Sequence, residues 1–304
     1  MIAAEEQRMA ASRILENCMA DDLSAEVAVA RLAVNLTAEI NAAELADIAL
    51  EMRTKASHCR DWLEDVAALL SANTDAFDSL RATAGSVCHD RQDGETGEVT
   101  VRRLASGFDQ AVAISPAASV QLSSLGDEEK LSATTAEIAS WLEKHGFTGA
   151  DKTILDIGCG IGRFECQLHA KTGHIVGTDI SSRMIAVARR RCAGIGNVEF
   201  RQTSGLDLGE FADESFDGIL AVDIFPYLVV AGVAERHFSE MARLLRPGGM
   251  AAILNYSYRM SPAADSSDIR NLANACAMDI VIDGDTPFRR WDGTAFLIRH
   301  TGGT

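Results

Sequence analysis

Over residues 1–85 apolar side chains recur at spacings of three and four. Val27, Val29, Leu32 and Leu36 form one such run, and Leu45, Ile48, Leu50 and Met52 another. That is the period of helices with one buried face. Ser24, ahead of Ala25-Glu26-Val27, and Asn41, ahead of the second run, read as N-caps. No proline interrupts the stretch, so it predicts a small helical bundle that packs on its neighbour or on a second copy of the chain. Residues 89–98 are polar, hold two glycines and lack an apolar anchor, which marks a domain boundary. A helix follows over Val99 to Ile114 and stops at Ser115-Pro116. The small, serine-rich residues 115–126 read as a loop. Asp127 then caps a helix through about His145, ended by Gly146.

From residue 152 the pattern changes to short apolar runs separated by helical segments. Thr153–Ile157, His174–Thr178, Val198–Arg201, Phe216–Val222 and Met250–Leu254 read as strands. Helices are expected near 162–171, 182–193 and 233–245, then near 266–276 after Pro262. Ala277–Ile282 and Thr294–Arg299 are two further strands. Such alternation predicts an α/β fold, with a mostly parallel sheet covered on both faces.

Charge narrows the partners. The chain carries 28 Lys and Arg against 44 Asp and Glu, a net of −16. Most of the excess acid lies before residue 151. A protein that grips phosphate backbones needs a basic face, so nucleic acid and anionic membrane are both expected not to be partners. Met1-Ile2-Ala3-Ala4-Glu5-Glu6 lacks a basic start followed by an apolar run, and no window resembles a membrane-spanning helix. The seven cysteines are scattered without a CxxC pair. They read as reduced thiols, and a cytoplasmic location with no structural metal is the expectation.

The chemistry concentrates at Ile154-Leu155-Asp156-Ile157-Gly158-Cys159-Gly160-Ile161-Gly162-Arg163-Phe164. A buried strand runs into glycines spaced two apart, and a helix follows at once. Glycine permits positive φ and removes Cβ atoms that would block a ligand. The start of the helix offers free N–H groups to an anionic group. The dinucleotide fingerprint requires a further glycine three residues after Gly160, where this chain has Arg163. The second element is His174-Ile175-Val176-Gly177-Thr178-Asp179, a strand ending in a carboxylate. In a doubly wound sheet this strand lies beside the first and brings Asp179 over the same crevice, where it can bind both hydroxyls of a ribose.

With these motifs the sequence resembles the class I S-adenosylmethionine-dependent methyltransferase family. Leu155 to Gly162 match its first motif and Asp179 its ribose acid. Ser215-Phe216-Asp217-Gly218-Ile219-Leu220-Ala221-Val222-Asp223 resembles its fourth strand, and Leu244-Leu245-Arg246-Pro247-Gly248-Gly249 the turn into its fifth. The likeness covers roughly residues 125–300. It implies a doubly wound, mostly parallel seven-stranded sheet with the last strand antiparallel, preceded by an all-helical N-terminal region. The domain limits expected are 1–98 for the helical region, as lid or dimer interface, and 99–304 for the methyltransferase domain, with its core at 152–285.

The resemblance also implies site roles. Gly158, Gly160 and Gly162 line the methionine and ribose of S-adenosylmethionine. Asp156 supports the turn or meets the amino group, and Asp179 holds the ribose hydroxyls. Ile180 and Met184 lie against the adenine, and Val222 completes the set. After its third strand the family often has an acid that meets the adenine amine. This chain reads Thr203-Ser204-Gly205 there, so Ser204 and Gly205 occupy the step, with Ser204 or Asp207 as the substitute.

Acceptor groups belong beyond the carboxyl ends of the fourth and fifth strands. That places Asp223, Phe225, Pro226 and Tyr227 in one loop and Asn255, Tyr256 and Tyr258 in another. The chain's three tyrosines all fall there, so Asp223, Tyr227, Tyr256 and Tyr258 are the catalytic candidates, and an aromatic pocket suited to a cation is expected. Asp223-Ile224-Phe225-Pro226-Tyr227 departs from the Asn/Asp-Pro-Pro-aromatic motif of enzymes that methylate planar amino groups. Leu254-Asn255 supplies half of the Asp-Asn step of metal-dependent catechol-type enzymes, so no metal is expected. His237 reads as an exposed helical histidine, and His89 as a linker residue of a possible lid. The function expected is methyl transfer to a small molecule at N, O or thioether S, an amino acid such as methionine included. The alternative is a non-catalytic S-adenosylmethionine-binding module or partner subunit. A homodimer is compatible with either.

Overall fold

A computed structural model of the chain describes residues 2–55, 58–72 and 74–302. Met1, where the N-terminal reading began, lies outside them. The chain divides into two compact units. One comprises Met1–Val87, Gln110–Thr134 and Phe288–Asp292; the other comprises Cys88–Asp109, Thr135–Pro287 and Gly293–Thr304.

The first unit is helical. It holds α1 (Ile2–Ala20), α2 (Ala25–Asn35), α3 (Ala42–Lys55), α4 (Arg60–Ala72) and α5 (Thr74–Gly85). Their apolar faces meet in a core in which Leu15, Leu32, Leu45 and Leu63 are fully buried. The caps read from the sequence are present. The Ser24 hydroxyl accepts the Val27 N–H at 3.4 Å. Asn41 and Glu44 form a reciprocal capping box, each side chain accepting the other's N–H, at 3.0 and 2.9 Å. Asp292 joins this unit through an ion pair to Arg31 at 2.9 Å.

Helices α6 (Gly97–Ile114) and α8 (Glu128–Lys144) each contribute to both units; α7 (Pro116–Val120) belongs to the first. The loop expected over 115–126 is therefore a short helix followed by a 3-10 turn at Leu122–Ser124. Ser115-Pro116 starts a helix here as well as ending one. The Ser115 hydroxyl accepts the Ala118 N–H, and proline fits the first helical turn, where its missing N–H is no loss.

The second unit is built on seven strands: β1 (Thr153–Ile157), β2 (His174–Asp179), β3 (Val198–Gln202), β4 (Phe216–Val222), β5 (Leu245–Leu254), β6 (Met278–Asp285) and β7 (Ala295–His300). Their spatial order is β3-β2-β1-β4-β5-β7-β6. The first five are parallel, and β7 runs antiparallel between β5 and β6. This is the doubly wound, mostly parallel sheet of the class I methyltransferase fold. The order reverses between β1 and β4, the point beside which doubly wound sheets bind ligands at their carboxyl edge. Helices α9 (Arg163–Leu168), α10 (Ser182–Arg191), α11 (Phe225–Ala231), α12 (Ala234–Leu244) and α13 (Pro262–Ala275) complete the unit. The expected turn at Arg246–Gly249 appears as a break in register within β5: Phe216 faces Leu245 and Gly218 already faces Met250.

Two other expectations are corrected. The segment after β4 is a helix, α11, because Pro226 sits in its first turn and Gly232, at φ 72°, closes its end. His237 is 1% exposed, not exposed, and its Nδ1 lies 3.0 Å from the Val233 carbonyl. Among the described residues no helix is long and apolar enough to cross a membrane.

Gly218 lets Phe147 pack on the backbone of β4: a Cβ there would stand 3.0 Å from the ring. Phe147 is 1% exposed. Phe147→Ala is expected to destabilise the chain by about 3–5 kcal/mol in urea titrations followed by circular dichroism. A loss below about 1 kcal/mol would contradict this packing.

Candidate active site

The turn after β1 is held by hydrogen bonds to the end of β2. Gly158 and Cys159 both donate N–H bonds to the Thr178 carbonyl, at 2.7 and 2.9 Å. Gly160 donates to Asp179 Oδ2 at 3.0 Å, and Ser181 donates to Oδ1 at 2.8 Å. The turn needs the left-handed region three times, at φ 74°, 54° and 76° for Gly158, Gly160 and Gly162. Gly158 is also pressed by Ile224, which would stand 2.9 Å from a Cβ there. The segment after β4 therefore touches the glycine turn directly. Burial raises the Asp179 carboxyl to about 6 against the N–H bonds that favour its charge.

Beneath the turn lies an unusual set of buried charges. Asp156 is 2% exposed and Glu165 is fully buried. Asp156 Oδ2 and both Glu165 oxygens have no hydrogen-bond donor. Burial raises Asp156 to about 8, opposed by the nearby Arg163 charge, and raises Glu165 well above the carboxylate range, with Asp156 adding to the effect. Two carboxyls sharing one buried site cannot both ionise, so the pair retains at least one proton at neutral pH. Arg163, at the position where a dinucleotide-binding turn needs glycine, is buried too. Desolvation lowers it to about 10, with the charges of Asp223 and Asp156 opposing.

The other cofactor candidates are spread around this turn. Ile180 is half-buried, and its methyl group would stand 2.4 Å from a Cβ on Gly205. Met184 is 2% exposed and Val222 is 9% exposed, at the end of β4. The Ser204 hydroxyl accepts the Leu206 N–H. Asp207 is paired with Arg236 at 3.0 Å. Asp109 of α6 was not singled out in the sequence. It accepts the Ser181 hydroxyl at 2.6 Å and the Arg183 N–H at 3.0 Å, at the start of α10.

At the ends of β4 and β5, Asp223 and Asn255 adopt φ 55° and 66°, a conformation these two residue types tolerate better than most. Asn255 donates to Asp223 Oδ1 at 2.6 Å, and the Tyr258 hydroxyl reaches the same oxygen at 3.4 Å. Tyr227 and Tyr258 meet with ring centres 5.9 Å apart; Phe108 lies 5.1 Å from Tyr227. Desolvation and the Asp223 charge raise the hydroxyl of half-buried Tyr227, and the Asp223 charge also acts upward on Tyr258, whose side chain remains 44% exposed. The structure thus brings Asp223, Tyr227 and Tyr258 together. Tyr256 is placed elsewhere: it is 5% exposed, 5.8 Å from the Phe225 ring, within the apolar core.

Residues 154–249 match the family model described as a methyltransferase domain. The segment belongs to that family. Its relatives include a demethylmenaquinone methyltransferase of Tropheryma whipplei strain Twist. That protein is 39% identical over 110 residues, covering 36% of this chain and 44% of the relative. A ubiquinone biosynthesis O-methyltransferase of Sinorhizobium medicae is 36% identical over 115 residues, again 36% of this chain and 44% of that one. The chain therefore spans less than half the length of these relatives. A solved S-adenosylmethionine-dependent methyltransferase from Aquifex aeolicus aligns with a TM-score of 0.46 and 17% identity, over 57% of this chain and 94% of that one.

The buried acids give the methyltransferase domain a distinctive pH response. Their folded-state values lie above the unfolded ones near 4. The stability they contribute is complete below pH 4 and is lost as pH rises towards about 8. Glu165→Gln keeps the shape with no proton to lose. The fall in melting temperature between pH 5 and pH 8 should therefore be shallower in that variant than in the parent. Parallel curves would contradict a protonated Glu165.

Proposed function

We propose that the chain transfers the methyl group of S-adenosylmethionine to a small-molecule acceptor. The observation that carries this reading is the glycine turn tied to Asp179 at the switch point of the sheet, with Asp223, Tyr227 and Tyr258 gathered at the same carboxyl edge. The residues fit the group. The turn has no Cβ at its three left-handed positions, Asp179 keeps free lone pairs on oxygens already aimed by backbone N–H groups, and Asp156 Oδ2 lacks a donor.

In this reading Gly158, Gly160 and Gly162 admit the methionine and ribose portion, and Asp179 accepts from the ribose hydroxyls. Asp156 offers its oxygen to the amino group. Ile180 supplies an apolar wall for the base, with Met184 packed behind it. When bound, S-adenosylmethionine supplies a methyl carbon activated by a sulfonium. Transfer is an in-line displacement, so alignment and exclusion of water carry much of the rate. Tyr227, Tyr258 and Phe108 present ring surface on the acceptor side, and Asp223 orients Tyr258. The net charge of −16 favours a small acceptor over a phosphate backbone.

Calorimetric titration with S-adenosylhomocysteine tests the reading. Micromolar binding is expected, with none for NAD. Asp179→Ala should weaken it at least about tenfold, or 1.4 kcal/mol. Binding of NAD instead, or no effect of the substitution, would overturn the assignment.

A further inference from the structure

Residues 88–96 form a strap whose geometry one side chain sets. Arg103, on α6, makes a two-pronged ion pair with Glu95, Nε to Oε1 at 2.9 Å and Nη2 to Oε2 at 3.0 Å. The same guanidinium donates to the carbonyls of Cys88 at 2.8 Å and Asp90 at 3.0 Å, the two residues flanking His89. Thr100 adds a hydroxyl to Glu95 at 3.1 Å. These bonds to Arg103 hold the Glu95 carboxyl down at about 2, so the clamp stays charged across the physiological range.

The clamp delivers His89 to the aromatic group described above. Its ring centre lies 5.5 Å from Tyr227 and 5.7 Å from Tyr258. Its Nδ1 is buried with no hydrogen-bond partner. A buried polar atom left unpaired costs about 1–3 kcal/mol, and a histidine that served only for packing could be replaced by an apolar ring without that loss. The groups facing it are Asp90 on the strap, Tyr227 from α11, and Tyr258 after β5, which is bonded to Asp223. Desolvation lowers the imidazole below its usual 6.5, with only the Asp90 charge opposing. The ring is therefore neutral at pH 7 and free to accept a proton. Asp223 is poorly placed for that task, because it already takes the Asn255 amide and faces the Arg163 charge.

We propose that His89 is the acceptor-side base of the methyl transfer, its Nδ1 taking the proton of a phenol-class hydroxyl held beside Tyr227, Tyr258 and Phe108. This rests on the methyltransferase reading above. The O–H bond breaks and its proton goes to Nδ1. An oxygen electron pair forms the bond to the methyl carbon of S-adenosylmethionine, the carbon–sulfur bond breaks, and its pair stays on sulfur. The products are an aryl methyl ether, S-adenosylhomocysteine and an imidazolium that returns its proton to water. A thioether or tertiary amine carries no proton and gives the open Nδ1 nothing to do. An aliphatic alcohol is too weak an acid for an imidazole of lowered basicity. A planar phenol suits both the base and the surrounding rings.

The experiment is nitrogen-15 NMR of the histidine rings in the full chain loaded with S-adenosylhomocysteine, with His89→Gln assigning the signal. At pH 7 the His89 Nδ1 signal should be that of an unprotonated nitrogen. It should move on addition of 4-nitrophenol and stay in place with 4-nitroanisole, which has the same ring and no proton. Equal response to both probes, no response to 4-nitrophenol, or a proton already on Nδ1 would overturn the proposal. Calorimetry separates the two readings: His89→Gln should bind S-adenosylhomocysteine within about twofold of the parent, whereas no binding by the parent would remove the methyltransferase reading itself.

Discussion

The Asp179 carboxylate is the contact on which the candidate site depends. One oxygen receives the Gly160 N–H and the other the Ser181 N–H, so a single side chain at the end of β2 fixes both the turn after β1 and the entry to α10. The turn cannot hold this shape without left-handed backbone at Gly158, Gly160 and Gly162. The shape in turn places Ile224 against Gly158 and ties the segment after β4 to the glycine turn. Each hydrogen bond is individually modest, about 1 kcal/mol. Their joint effect is positional: the carboxylate is aimed before any ligand arrives, and the ordering is not charged against binding.

The buried charges around the turn act in the same direction. Asp156 and Glu165 are taken out of water with oxygens that lack hydrogen-bond partners, an arrangement that a region selected only for stability would lack. An unpaired carboxyl oxygen beneath the glycine turn is a standing hydrogen-bond acceptor. The same logic holds at the aromatic end, where His89 carries an unpaired nitrogen and the Arg103–Glu95 clamp keeps the strap from relaxing to satisfy it. Unmet hydrogen-bonding capacity at Asp156, Glu165 and His89 fits groups arranged for molecules that come and go.

Much of this was legible in the sequence, for physical reasons. The strands β1 and β4 match their expected bounds because they are mostly buried and read as short, largely apolar runs followed by glycine or acid. The glycine turn and Asp179 were visible because left-handed backbone demands glycine and a carboxylate closing an apolar strand stands out in the pattern. Helix α11 was missed because its Phe-Pro-Tyr start has the look of a loop, and only the Gly232 end signalled a helix. The burial of Glu165 and Arg163 was not foreseen because a charged residue in a helix usually faces water; their signal, two charges in the first turn after the glycines, is weak without coordinates. Asp109 and the Arg103 clamp depend on how α6 lies along its neighbours, which local pattern does not encode. His89 was read as a linker residue, and its ring contacts are tertiary.

The central claim is that Asp179 and the glycine turn form the ribose cradle. The most direct measurement is a crystal structure of the chain grown with S-adenosylhomocysteine. The account requires both ribose hydroxyls within hydrogen-bond distance of the Asp179 carboxylate, with the methionine portion over Gly158–Gly162. A nucleoside bound elsewhere in the chain, with Asp179 touching only Gly160 and Ser181, would contradict it.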